Sequence, residues 1–196
     1  NGYTNTMFWL RTGIGVMKFV HPDDTNRGDN LELIRKKAEP AIRYAEVLLI
    51  YAEALNELDG THTIASWDGE TQYTVRREIS ELKKGIQPIR IRAGVPDYTT
   101  SEYENKDVFR EKLKRERQIE LMGEGHRYYD IRRWKDAALE ESVPIYGCNT
   151  LMTKEWRDLF HDPVVVPSLP TNFSRKMYFW PISHSELKRN ILLTQN

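Results

Sequence analysis

The chain has 196 residues, enough for one domain with its own core, and 39% of them are hydrophobic. Its 29 basic residues balance 29 acidic ones, so the basic excess by which nucleic-acid binders meet phosphate is missing. No run approaches the ~20 apolar residues of a membrane-spanning helix, and the single cysteine, Cys148, allows no internal disulfide.

In chain order, residues 1–40 read as irregular, broken by Gly2, Gly13, Gly15, Pro22, Gly28 and Pro40, with 7–10 and 15–20 as short strands or extended pieces. Residues 41–58 read as a helix that is apolar nearly all round, and therefore buried between neighbours. Residues 61–73 read as a loop carrying Trp67 and Tyr73. A second helix over 75–93 follows from Val75, Ile79, Leu82, Ile86 and Ile89, one stripe at steps of four and three. Pro88 lacks an N–H and predicts a kink or restart, while Gly94 and Pro96 stop the helix. A third helix spans 105–122, with Ser101-x-x-Glu104 as a capping box upstream. A fourth spans 126–138, beyond a turn at Gly123 and Gly125. Residues 139–177, punctuated by prolines, read as loop; 177–182 as extended; 185–192 as a last turn or two of helix. Pairing 41–58 with 75–93, and 105–122 with 126–138, predicts a mainly α, single-domain chain over 1–196. Its helix pairs stack like a solenoid, with long irregular loops and a few short strands.

The densest chemistry lies at the glycine corner. Arg117, Glu120, Glu124, Arg127, Asp130 and Arg133 crowd two helix ends, where they read as a structural ion-pair corner rather than an active site. A glycosidase needs two carboxyls about 5 to 9.5 Å apart. Glu120 and Glu124 are one turn apart, but the arginines around them would depress a carboxyl pKa instead of raising one for acid work. Asp23, Asp24, Asn26 and Asp29 offer oxygen ligands, yet Arg35 stands where an EF-hand loop begun at Asp24 requires Glu. The five histidines show no ligand spacing. Neither a metal nor a cofactor is expected. Loop aromatics beside polar side chains suit sugars, whose C–H faces stack on rings. They rank as Trp67 with Tyr73, then Trp9, then Trp156.

Four segments in order resemble the C-terminal part of the SusD/RagB family of outer-membrane nutrient-binding lipoproteins of Bacteroidetes. They are RYAEVLLIYAEA (43–54), PIRIRAGV (88–95), ERQIELMGEGHRYYDIRRW (116–134) and YFWPI (178–182), the last followed by Glu186, Asn190, Leu193, Gln195 and Asn196. The resemblance implies tetratricopeptide-like helix pairs and a non-catalytic protein that captures oligosaccharides, or peptides in some branches. It implies delivery to a SusC-like TonB-dependent transporter, and a cell-surface position held by a lipid anchor in a segment absent from this chain. It also implies a parent protein longer at its N-terminus. Two other readings stay open: a helical-repeat scaffold that docks on the transporter without a ligand of its own, and, less favoured, a glycoside hydrolase.

Overall fold

The computed structural model describes residues 10–24, 34–35, 37, 40–150, 159–166 and 171–195. The fold is mainly α, with seven α-helices and four short strands among the described residues. Contacts divide the chain into two compact units, one of residues 35–127 and one of residues 1–34 with 128–196.

The first unit is built on α1 (Tyr44–Glu57), α2 (Ile79–Arg92), α3 (Thr100–Glu104) and α4 (Lys106–Glu120). The buried residues of α1, Ala45, Leu49, Ala52, Leu55 and Asn56, recur at helical spacing and form one stripe. The stripe packs against both α2 and α4. Tyr51 and Asn56 meet Glu81 and Arg77 of the α2 region, and Arg43 and Glu57 meet Glu120 and Arg110 of α4. In each pairing the residue numbers rise on α1 as they fall on its partner, so both partners run antiparallel to it. The all-round burial expected of α1 is corrected: Tyr44, Val47 and Ile50 are exposed within this unit, because α2 and α4 both take the same stripe.

At the crossing of α1 and α2 the backbones nearly touch. A Cβ built on Gly85 would sit 2.7 Å from the Ala52 Cβ and 2.7 Å from the Leu48 carbonyl oxygen. Only a residue without a side chain lets the helices come this close. The rest of the core is Leu82, Ile86, Ile89, Leu113, Leu121 and the rings of Tyr103 and Phe109, whose centroids are 4.9 Å apart.

Several boundaries differ from the sequence reading. Residues 61–76 are a hairpin rather than a loop and a helix start. Strand β1 (Thr61–Ala65) pairs antiparallel with β2 (Gln72–Arg76), and Val75 belongs to β2, opposite His62. Helix α2 runs unbroken through Pro88, because Gly85, Ile86 and Ile89 keep one buried stripe on both sides of it. Its end is as expected: Gly94 has φ +69°, and the Val95 and Gly94 amides donate back to the Arg90 and Ile91 carbonyls, both at 3.0 Å. The capping box lies two residues earlier than expected. The Thr99 amide donates to Glu102 at 2.8 Å, and the Glu102 amide donates to the Thr99 hydroxyl at 3.3 Å. Asn105 then starts α4, its side chain accepting from the amides of Asp107 and Val108.

The second unit takes most of α5 (His126–Arg133), then α6 (Ala137–Glu140), β3 (Tyr146–Gly147), β4 (Val164–Val165) and α7 (His184–Arg189). The predicted single helix over 126–138 breaks in two at Lys135, whose φ of +64° is left-handed. Strands β3 and β4 pair antiparallel. The Cys148 amide donates to the Thr12 carbonyl at 2.8 Å, tying the early loop to them. Residues 175–178, expected within or beside an extended run, form a 3-10 turn.

Gly85→Ala is expected to destabilise the protein by about 1–3 kcal/mol, since the added methyl overpacks a backbone contact. Urea denaturation checks this; a variant as stable as the parent would mean that α1 and α2 are not in contact at Gly85.

Candidate functional site

Of the charged corner residues, Arg117, Glu120, Glu124 and Arg127 belong to the first unit. Arg43, at the start of α1, reaches the end of α4. Its Nε and Nη2 donate to the two carboxylate oxygens of Glu124 at 2.8 and 2.7 Å. Its Nη1 donates to Glu120 Oε1 at 2.9 Å and its Nη2 to the Glu120 carbonyl at 3.0 Å. Arg92 donates to the other oxygen of Glu120. Burial pushes the Glu120 carboxyl up, but hydrogen bonds from Arg92 and Arg43, with their charges, outweigh it and hold the group below its ordinary value. Glu120 is thus kept ionised, the opposite of what a general acid needs. Arg117 is buried, its Nε 4.0 Å from Glu53, and Arg127 is half-buried and engaged.

In the second unit Asp130 is buried and accepts from Arg133 at 2.9 Å, and the Arg133 guanidinium lies 4.5 Å from the Trp134 ring centre. The main partners of Glu120 and Glu124, Arg43 and Arg92, lie outside the corner segment and were not among the sequence candidates. A lone Arg beginning an apolar helix carries no signal that two carboxylates wait 77 and 81 residues downstream.

Trp67 stands at the tip of the β1–β2 ribbon and is 98% exposed; Tyr73, on β2, is 53% exposed. The tip is organised around it. The Ser66 hydroxyl donates to Asp68, the Thr71 amide donates to the Ser66 hydroxyl at 2.9 Å, and Gly69 takes φ +77°. Trp67 thus presents a free ring from an ordered turn. The signal for this ribbon was in the sequence: Asp68-Gly69 lies between two runs rich in β-branched and aromatic residues. Trp9 and Trp156 lie outside the described residues, as do Asn26 and Asp29 of the acidic loop. In that loop Asp24 accepts from the His21 amide at 3.3 Å, a turn contact.

Sequence reasoning missed a cavity in the second unit. It has a volume of about 590 Å³, within the range of small-molecule sites, and is lined by Arg132, Lys135, Arg175, Phe173, Tyr178 and Phe179. Arg132 is its fixed point. The guanidinium donates to both oxygens of Glu141 at 3.2 and 3.1 Å and stacks 3.6 Å from the Tyr128 ring centre. Its Nε reaches the Met177 carbonyl at 3.3 Å. The Tyr178 hydroxyl donates to the Lys135 carbonyl at 3.0 Å, and Phe173 meets Tyr178 edge-to-face at 4.8 Å. The residues come from α5, the break after it and the 3-10 turn, about 40 residues apart, which is why no local pattern exposed them.

The sequence model of the SusD family matches residues 1–196. SusD-like protein P2 of Formosa agariphila is 40% identical over 157 residues, which cover 79% of this chain and 24% of that protein. SusD-like protein P38 of the same organism is 31% identical over 131 residues, covering 65% of this chain and 24% of that one. The solved structure of selenomethionine BT4246 superposes with a TM-score of 0.59 at 25% identity, over 84% of this chain and 24% of its own. The matches take in about a quarter of each relative's length.

Arg43→Ala is expected to lower stability by about 3 kcal/mol, because it takes the two-pronged contact from half-buried Glu124 and leaves Glu120 with Arg92. The pH dependence has a definite sign. With its folded pKa depressed, Glu120 contributes stability that is present above the unfolded value of about 4.3 and is lost as pH falls through the folded value. Denaturation midpoints measured from pH 6 to pH 3 should fall less steeply in Arg43→Ala than in the parent.

Proposed function

The chain belongs to the SusD family, and we propose that it forms part of a protein that binds oligosaccharides without chemically altering them. In this reading the whole protein sits at the outer-membrane surface on a lipid anchor and passes its ligand to a SusC-like TonB-dependent transporter. The observation that carries the reading is the family match over residues 1–196 together with 40% identity to a SusD-like protein. The chemistry of the chain supports it. Glu120, beside Glu124, is held in its charged form by arginines, whereas rings that suit a sugar face stand exposed.

We place a ligand contact at the hairpin, with the indole of Trp67 stacking on a sugar ring and Tyr73 as a second aromatic surface; Trp9 and Trp156 are further contacts in the same proposal. A hairpin tip is an open platform rather than an enclosed pocket. It therefore suits an extended chain that lies across it better than a single small sugar.

Isothermal calorimetry of the intact protein against a panel of neutral oligosaccharides tests the reading, with reducing ends assayed in the same samples. Binding without release of reducing ends is expected. Trp67→Ala should weaken the best ligand about three- to tenfold, the value of one aromatic stacking contact. Affinity unchanged by Trp67→Ala would remove the ligand from the hairpin. No binding by any saccharide would sink the carbohydrate reading itself.

A further inference from the structure

The cavity of the second unit has a chemistry that the hairpin lacks. Of its three cations, Arg132 is already neutralised by the two-pronged contact with Glu141. Lys135 and Arg175 line the same space, are exposed, and make no ion pair with a carboxylate among the described residues. Phe173, Tyr178 and Phe179 supply apolar ring surface around them, and Phe179 is 69% exposed. A space of about 590 Å³ with an aromatic wall and two uncompensated positive charges fits a ring that has both a C–H face and an anion.

The position of Lys135 adds a second argument. It ends α5 in the same hydrogen-bonding pattern by which Gly94 ends α2. The Asp136 amide returns to the Ile131 carbonyl at 2.8 Å and the Lys135 amide to the Arg132 carbonyl at 3.1 Å. The residue at this place takes φ +64° here and +69° at Gly94. Glycine adopts that conformation freely and lysine does not. The chain thus carries a strained lysine where glycine would serve the fold better, and that lysine is one of the residues that line the cavity. Strain of this kind gathers where a side chain is needed for binding.

We infer that this cavity is a subsite for an acidic sugar residue, its ring against Phe173, Tyr178 and Phe179 and its carboxylate or sulfate ester met by Lys135 and Arg175. The inference rests on the carbohydrate reading above and adds to it a charge preference and a second place on the chain. Arg132 acts as a positioning residue: it fixes Tyr128, Glu141 and the 3-10 turn, and so the wall that carries Tyr178 and Phe179.

The test compares oligogalacturonate, a sulfated galactan oligosaccharide, a neutral galactan oligosaccharide and inorganic sulfate as ligands of the intact protein by calorimetry. An acidic oligosaccharide should bind at least about tenfold more tightly than the neutral one, with affinity falling as NaCl rises. Arg175→Gln should remove most of that preference. Lys135→Gly should remove it too while leaving the protein as stable or more stable, which separates lost binding from lost folding. The source of the anion is read from the two acidic ligands: tighter binding of the oligogalacturonate identifies a carboxylate, and tighter binding of the sulfated galactan oligosaccharide identifies a sulfate ester. Equal affinity for acidic and neutral oligosaccharides overturns the acidic subsite and leaves the carbohydrate reading standing, as does an acidic preference that survives both substitutions. Binding of inorganic sulfate at Lys135 and Arg175 with no saccharide bound at all overturns both.

Discussion

The first unit depends on how the guanidinium of Arg43 is held. Four hydrogen bonds from its planar guanidinium meet two carboxylates and one carbonyl at the end of α4, so the start of α1 has a single position relative to α4. The other end of α1 is held by similar means, with Glu57 paired to Arg110 at 2.7 Å and buried Asn56 donating to the Lys106 carbonyl at 3.1 Å. Pinned at both ends, α1 offers α2 a stripe in fixed register, and the contact at Gly85 is close enough to punish any shift. Charge sets the alignment and apolar packing supplies the bulk of the adhesion. Neither alone would bring Tyr103, Phe109 and Leu113 under α1.

The second unit is organised differently. Its buried residues are few among those described, chiefly Asp130, Ile131, Ala137 and Val166. Arg132 takes the place of a larger core by joining a ring face, a carboxylate and two main-chain carbonyls, those of Tyr128 and Met177. A unit held by directional contacts to one cation keeps open space beside it, because hydrogen bonds fix distances without filling volume. The cavity lined by Lys135 and Arg175 is the result.

Legibility followed the range of the interaction. The stripe of α2 and the stop at Gly94 depend on neighbours a few residues away, and both could be read directly. The hairpin was equally local but was lost because Val75 fits the four-and-three spacing of the following stripe as well as it fits a strand. The break at Lys135 could not be foreseen, since no residue less suited than glycine is expected at φ +64°. The partners of Glu120 and Glu124, like the walls of the cavity, come from distant segments, and sequence spacing alone holds no information about them. What the sequence did carry at long range was family resemblance, which integrates many such contacts without displaying any one of them.

The ribbon of β1 and β2 has almost no buried residue, and it bridges two helices whose alignment is fixed elsewhere. To the core it is only a tether between Leu58 and Glu78. Doubling the length of such a tether adds only about 0.6 kcal/mol of closure entropy. The segment is therefore nearly free of folding constraint: it can lengthen, shorten or change its tip without disturbing the helices that carry it. Variation there costs the scaffold little and falls on strands that are exposed along almost their whole length, so the ribbon can change in sequence without putting the fold at risk.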